Sequence, residues 1–371
     1  MLTKADDYPI HQLPEPIAYA GSDNNFYDRY FFNGYSKDGE VFFGAAMGVY
    51  PHRDITDAAF CVAYKGVQYN LHASRQAGPE RMDTFVGPIE VKVLEPLQKL
   101  QVIVSENEHG ITADLTFDGL IDAFQEPRFT LRKNKTTIMD LTRLTQSGSW
   151  HGWIEIEGTR IEINANNAWG TRDRSWGVRL IAGTDTNFAP VDHEVQFFWL
   201  WNPVNFDNYC TFYHSNHEAD GTPWNELGLI LPTRASGLPD PGYRVKETLT
   251  ELSFIKGSRY IEKATMTHLL HGGGEIVIEQ TPQYYFMMPG LGYQNKEWGH
   301  AIYKGKNVTG FDTYVLDEVN KNDIGFQHLQ AYVTATMQLP DGQVHKGSGV
   351  LEQLLLGRHT PTGLTGLIDP A

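Results

Sequence analysis

The feature that most limits what this chain can fold into is its punctuation. Runs of five to nine residues alternate apolar with polar side chains and stop at Gly, Asn or Asp, and no window keeps apolar residues at i, i+3 and i+4 over three turns. Alternation in twos lines the opposite faces of a strand, so the chain reads as all-β, mostly antiparallel, with few short helices. Such runs occupy 41–49, 60–64, 67–72, 89–93, 100–106 and 111–118, with turns at Lys65-Gly66 and Glu108-His109-Gly110. Residues 152–163 read as a hairpin turning at Gly158, with Ile154, Ile156, Ile161 and Ile163 on one face. Further runs cover 178–181, 195–202, 208–213, 226–231, 248–255, 258–270, 274–282, 299–305, 309–317, 326–339 and 344–356. Parallel α/β folds are thereby excluded, and strands this numerous belong to sandwiches or up-and-down barrels.

A chain of 371 residues has the length for two cores. The polar loop 183–190 breaks the strand pattern near the middle, which divides the chain into an expected first barrel domain at 1–187 and a second at 188–371. The Pro/Gly-rich stretch 231–242 is the other place where a boundary would fit. The 19 Phe, 18 Tyr and 8 Trp suit a barrel that holds a lipophilic ligand, and suit plain core packing equally well. A net charge of −15 repels phosphate backbones and anionic membranes, so nucleic acid is not an expected partner. No apolar leader opens the sequence and no run nears the ~18 apolar residues of a membrane span, which sets the expectation of a cytoplasmic protein with no membrane partner. Cys61 and Cys210 fall in different halves and read as buried small hydrophobes.

The densest cluster of unusual residues runs from Trp169 to Arg179 and does not look like a routine strand. In extended form Thr171, Asp173 and Ser175 face one way, while Arg172, Arg174 and Trp176 face the other. Asp173 then belongs either to an ion-pair network, with Arg179 or a cross-strand partner, or to an acid/base pair. For the second role His151 and Trp153 share a strand face about twenty residues upstream and could meet the Thr171/Asp173 face across a ladder. Burial in an aromatic pocket disfavours the charged carboxylate and keeps a proton available near neutral pH. Aromatic faces such as that of Trp153 would stabilise developing positive charge by about 1 to 2 kcal/mol each.

The stretch Gly170-Thr171-Arg172-Asp173-Arg174-Ser175-Trp176-Gly177-Val178-Arg179 resembles the carotenoid 1,2-hydratase (hydroxyneurosporene synthase) superfamily, particularly its bacterial branch. Gly48-Val49-Tyr50-Pro51, Gly290-Leu291-Gly292-Tyr293, Trp298-Gly299-His300, Gly349-Val350-Leu351-Glu352-Gln353 and Gly357-Arg358-His359 extend the likeness over nearly the whole chain. The resemblance implies two lipocalin-like antiparallel β-barrel domains packed together, with a ligand pocket near their junction. It also implies that the family's H-x-W pair falls on His151 and Trp153, and its Y-x-D pair on Thr171 and Asp173. Threonine stands where the family has tyrosine, so the hydration of a long polyene does not carry over; the same scaffold also serves cyclisation, including Diels-Alder reactions.

Other polar residues sort by spacing. Tyr50, with His52 and Arg53, follows a strand at a turn that could border a pocket; His300 beside Trp298 fits an inward-facing strand edge; Tyr213 lies in a strand. His214 and His217, like His268 and His271, are three apart and point to opposite faces of a strand, which disfavours a metal pair. The run Tyr284 to Met288 is either core or the adaptable wall of a lipophilic site. No phosphate loop, G-x-S-x-G elbow, H-E-x-x-H or dinucleotide fingerprint is present. The expectation is therefore a lyase (hydratase, dehydratase or carbon-carbon lyase) or isomerase/cyclase that works by acid/base chemistry on a hydrophobic terpenoid or aromatic molecule, without cofactor or metal. Asp173 and His151 would be catalytic; Trp153, Thr171, Trp176, Tyr50, His300 and Tyr213 would bind substrate; Arg172, Arg174 and Arg179 would be structural. The alternative is a lipocalin-type carrier of a lipophilic ligand, and either is compatible with a homodimer.

Overall fold

The alternating runs become antiparallel strands in a computed structural model that describes residues 2–11, 23–133, 136–179, 181, 194–239 and 242–371. The loop expected to divide the domains, 183–190, lies outside the described residues. The first strands are β1 (Phe26–Ser36), β2 (Val41–Tyr50), β3 (Ile55–Tyr64), β4 (Val67–Gln76), β5 (Phe85–Val86), β6 (Ile89–Glu95), β7 (Lys99–Val104) and β8 (Ile111–Gly119). They continue with β9 (Phe124–Gln125), β10 (Phe129–Lys133), β11 (Thr136–Ile156), β12 (Thr159–Ile163) and β13 (Ala168–Arg179). The later strands are β14 (Phe197–Phe206), β15 (Tyr209–His217), β16 (Pro223–Pro232), β17 (Val245–Phe254), β18 (Ile261–Leu270), β19 (Glu275–Met287), β20 (Asn307–Val315), β21 (His328–Gln338) and β22 (Val344–Leu356). The described helices are short 3-10 turns, and none is long and apolar enough to cross a membrane.

Contacts divide the chain into a unit of Met1–His193 with Pro289–Val315 and a unit of Glu194–Met288 with Leu316–Ala371. Residues 289–315, which sequence reading assigned to the second half, thus belong to the first unit, because β20 pairs along the whole of β4 from Asn307↔Arg75 to Val315↔Val67. The sheet of the first unit runs β20-β4-β3-β2-β1-β13-β11-β8-β7-β6-β5, with β5 and β6 returning against β3 and β4 to bring the barrel near closure. The second sheet runs β16-β15-β14-β22-β21-β19-β18-β17, with β17 beside β16. Each is a barrel-like antiparallel sheet, as the strand pattern led one to expect.

Local chemistry accounts for the turns. At β3–β4, Lys65 and Gly66 take φ of 50° and 80°, and at β11–β12 Glu157 and Gly158 take 50° and 76°, both residues left-handed as a two-residue hairpin requires. Two expectations are corrected. Residues 169–179 form a regular central strand, and 299–305 form none: Gly292, Ala301 and Gly305 have positive φ, and the segment between Met288 and β20 runs as turns.

The first barrel is filled by its own side chains. One cluster joins Tyr30 and Phe32 of β1, Phe43 and Met47 of β2, Phe60 of β3, Leu71 of β4, Leu115 and Phe117 of β8, and Ile154, Ile156 and Ile163 of the hairpin. Trp150 sits within it, edge-on to Phe32, Phe43 and Phe117, and its indole N–H donates to the Asn33 carbonyl at 2.9 Å. Of the two uses the sequence leaves open for its aromatics, a lipophilic ligand or core packing, these side chains serve packing. Trp150→Ala is expected to cost about 3 to 5 kcal/mol, read by denaturant unfolding of the first unit.

The second barrel buries Leu200, Ile230, Met266, Ile278, Val333 and Leu351, together with His268. His268 Nδ1 meets the Thr248 hydroxyl at 2.8 Å, and burial lowers this ring from 6.5 to about 4. Burial brings His217 to about 4 as well, and His359 to about 4 with a further contribution from His217, its neighbour at 3.1 Å. A ring that is neutral when folded takes up a proton on unfolding across this interval. Its contribution to stability is complete above about 6.5 and is lost as pH falls towards about 4. Thermal melts across that window should show the second unit weakening, and His268→Gln should flatten the dependence. Cys61 and Cys210 are buried, and neither is in a disulfide.

Candidate active site

Because one face of the first sheet is committed to the core, the residues at alternate positions are gathered on the other. The register sets them in rows across the strands. One row reads Arg143 (β11), Ser175 (β13), Arg29 (β1), Gly48 (β2), Asp57 (β3) and Ser74 (β4). The next reads Thr145, Asp173, Phe31, Ala46, Ala59, His72 and, on β20, Gly310. The third places Asn70 of β4 opposite Asp312 of β20.

Across these rows lies the segment between Met288 and β20, held by polar contacts. Arg29 is buried; it donates to the Tyr50 hydroxyl at 3.1 Å and to the Leu291 carbonyl at 3.0 Å, and it stands 3.4 Å from Asp57. The Asp57 carboxyl also accepts the Ala301 backbone N–H at 2.7 Å, with the Tyr50 hydroxyl 3.5 Å away. Arg179 donates to His300 Nδ1 at 3.2 Å, so His300 presents Nε2–H to the Leu291 carbonyl at 3.2 Å. Tyr293 packs edge-on against His300 and lies beneath the Arg29 and Arg179 guanidinium groups. Small residues make room for this: a Cβ on Gly310 would fall 2.1 Å from the Trp298 ring, and one on Gly48 would fall 2.6 Å from the Tyr50 hydroxyl.

Electrostatics sets these groups apart. Burial pushes the Asp57 carboxyl up, and Arg29, the Ala301 N–H and Tyr50 offset only part of that rise. Burial, then the Asp57 charge, likewise raises the Tyr50 phenol, which therefore remains a donor. A carboxyl that is easily protonated beside a permanent cation is a proton donor whose conjugate base is stabilised once the proton leaves. Asp57, Ala59, His72, Ser74, Leu291, Trp298, His300 and Ile302 line a cavity of about 10 Å³. Among the described residues no cluster of three or more His, Cys, Asp and Glu is arranged to hold a metal ion.

Residues 2–365 match a family of unknown function, DUF8625. The chain belongs to that family. No curated protein matches the sequence. Among solved structures, CghA with Sch210972 aligns over 90% of this chain and 89% of its own, at 12% identity and a TM-score of 0.50, and a second CghA structure gives the same values. Kievitone hydratase from Nectria haematococca aligns over 95% of this chain and 94% of its own, at 12% identity and a TM-score of 0.45. The likeness to CghA is one of fold.

In this DUF8625 chain the residues singled out from sequence separate. Tyr50, His300 and Arg179 join the cluster just described, although Arg179 stood there as a structural residue. Asp173 shares the face and lies 4.0 Å from Arg143, whose guanidinium also pairs with Glu126 at 3.5 Å. Thr171 is buried, its N–H donating to the Asn33 side chain at 2.8 Å. His151 does not meet Asp173: β11 pairs with β13 only as far as Ser149↔Trp169, and His151 pairs instead with Thr116 of β8. Its ring is 47% exposed and faces Asp118 at 3.3 Å, six residues along β11 from the Thr145 that opposes Asp173, which is roughly 20 Å of strand. Trp153 is covered by the Arg160 guanidinium at 4.2 Å, and Tyr213 lies in the second unit, donating to Glu226 at 2.8 Å.

Arg172, Arg174 and Trp176 point to the other face of β13 and hold the N-terminal segment. Arg172 pairs with Asp7, Arg174 pairs with Asp28 at 2.5 Å and donates to the Tyr8 carbonyl at 2.8 Å, and Trp176 stacks on His11 at 3.6 Å. Burial raises Asp28, but Arg174 and His11 outweigh it and hold the carboxyl below its usual value. Sequence reading missed Arg29, Asp57, His72 and Asp312, which are isolated polar residues in unremarkable runs; the motifs around Tyr50 and Trp298 were the only pointers towards them.

Asp7→Ala would leave Arg172 buried without its carboxylate and should lower stability by about 3 to 5 kcal/mol in denaturant unfolding. His151→Ala, at an exposed pair, should change it by no more than about 0.5 kcal/mol.

Proposed function

We propose that this protein is an acid/base enzyme of the hydratase, lyase or isomerase class acting on a hydrophobic terpenoid or aromatic molecule, with Asp57 as the proton donor. The observation that carries the reading is convergence. Three motifs far apart in sequence, around Tyr50, Arg179 and Trp298-Gly299-His300, supply side chains to one buried cluster about a carboxyl with a raised proton affinity. These are the motifs on which the resemblance to the carotenoid hydratases rests, and the fold is shared with CghA, a protein solved with Sch210972.

In this reading Asp57 takes the role that sequence reading assigned to Asp173. Its proton passes to carbon or to a leaving hydroxyl, and Arg29 and Tyr50 stabilise the carboxylate that remains. Arg179 fixes His300 in one tautomer. Asp173 orients Arg143.

The test begins with solvent extraction and native mass spectrometry of freshly purified protein, followed by incubation of the recovered compounds with wild type and variants. A mass change of one water, or loss of a small fragment, is expected with wild type. Asp57→Asn should lower that turnover by about 100-fold or more while the thermal midpoint is kept. Asp173→Asn should move the midpoint and leave turnover within about tenfold. Unaltered return of every compound by wild type, or full activity of Asp57→Asn, would overturn the reading.

A further inference from the structure

The cavity beside Asp57 contains a second titratable group that the reading above does not use. His72 is 1% exposed, and its Nε2 lies 3.3 Å from Asp312 on the neighbouring strand β20. The other Asp312 oxygen accepts from the Asn70 amide at 2.6 Å, and Asn70 in turn accepts from Gln68 at 2.8 Å, so the carboxylate is fixed in direction. Trp298 stacks on the imidazole at 5.4 Å with planes 10° apart, over the space left by Gly310, so the ring is fixed as well. An Nε2–H directed at Asp312 leaves Nδ1 with a lone pair. That Nδ1 is buried and has no hydrogen-bond partner in the protein, and His72 and Asp57 both line the same cavity. Its volume of about 10 Å³ is the size of one water, and polar groups on its wall are what such a water requires.

We propose that this cavity is the site of the water consumed or released in the reaction, with His72 as the base that faces Asp57 and Asp312 as the residue that positions it. The proposal rests on the acid/base reading and narrows it to hydration and dehydration. In the hydration direction the Asp57 carboxyl gives its proton to one alkene carbon, the π pair forming the new C–H bond. A lone pair of the water oxygen forms the C–O bond at the other carbon, and the surplus water proton passes to His72 Nδ1. Solvent exchange then returns a proton from His72 to Asp57, so the enzyme ends as it began. In dehydration each step reverses, and one water leaves.

Two measurements on the intact, substrate-free chain test this, with water itself as the probe. A high-resolution crystal structure should show one ordered water within hydrogen-bond distance of both His72 Nδ1 and Asp57, lost in His72→Phe. Nitrogen-15 NMR of labelled histidine should show His72 as the neutral Nε2–H tautomer at pH 7, with Asp312→Asn shifting the tautomer balance towards Nδ1–H; a balance left unmoved would overturn Asp312 as the residue that positions His72. A dry cavity, a water that touches only one of the two groups, or a His72 protonated on both nitrogens at pH 7 would overturn the water site while leaving the Asp57 result intact. Should the water and tautomer be found while Asp57→Asn keeps full turnover, the acid/base reading fails instead, and the water is structural.

Discussion

Everything about the first unit follows from an antiparallel ladder in which one face is already committed. Tyr30, Phe32, Phe43, Phe60 and Trp150 occupy the inside of the barrel, so the side chains at the intervening positions, Arg29 and Asp57 among them, gather on the second face. A charge buried on that second face loses its hydration and persists only with partners. Arg29 therefore engages Tyr50, Asp57 and the Leu291 carbonyl together, and Arg143 lies between Glu126 and Asp173. The bond from Arg29 to the Leu291 carbonyl also holds the segment following Met288 against the sheet.

The consequence for function is a division of labour among carboxylates. Asp7 and Asp28 each lie against an arginine on the core side of β13, where their task is to secure the N-terminal segment. Asp57 is different because its partners compensate burial incompletely, which leaves it more readily protonated than a surface aspartate. Asp312, on an edge strand, lies 3.3 Å from His72 Nε2. The small residues Gly48 and Gly310 leave the room that the Tyr50 hydroxyl and the Trp298 ring occupy.

Much of this architecture could be read from alternation alone. Lys65-Gly66 and Glu157-Gly158 announce their hairpins, 344–356 has the bounds that its pattern suggests, and the four isoleucines of 152–163 do share the core face. The site was less legible, because side chains are brought together by register, and register is not written in any single strand. Asp57 and Arg29 come from strands separated by β2, and His72 meets Asp312 across 240 residues. The spacing of His151 and Asp173 looked like a cross-strand pair; nothing in the sequence marks Ser149 as the point where β11 parts from β13. Trp298-Gly299-His300 forms a turn rather than a strand, since three aromatic or small residues in a row do not distinguish an edge from a turn.

The path of residues 289–315 also sets an order of events during synthesis. They leave the ribosome after ninety-five residues of the second unit, Glu194–Met288, yet supply the edge strand β20 and, with Leu291, Trp298, His300 and Ile302, one wall of the cavity beside Asp57. Until they emerge, β4 presents an unpaired hydrogen-bonding edge, the kind of exposure that invites association between nascent chains. Nor can the first unit be isolated by truncating the gene at one point, because its strands are encoded on both sides of an intervening stretch.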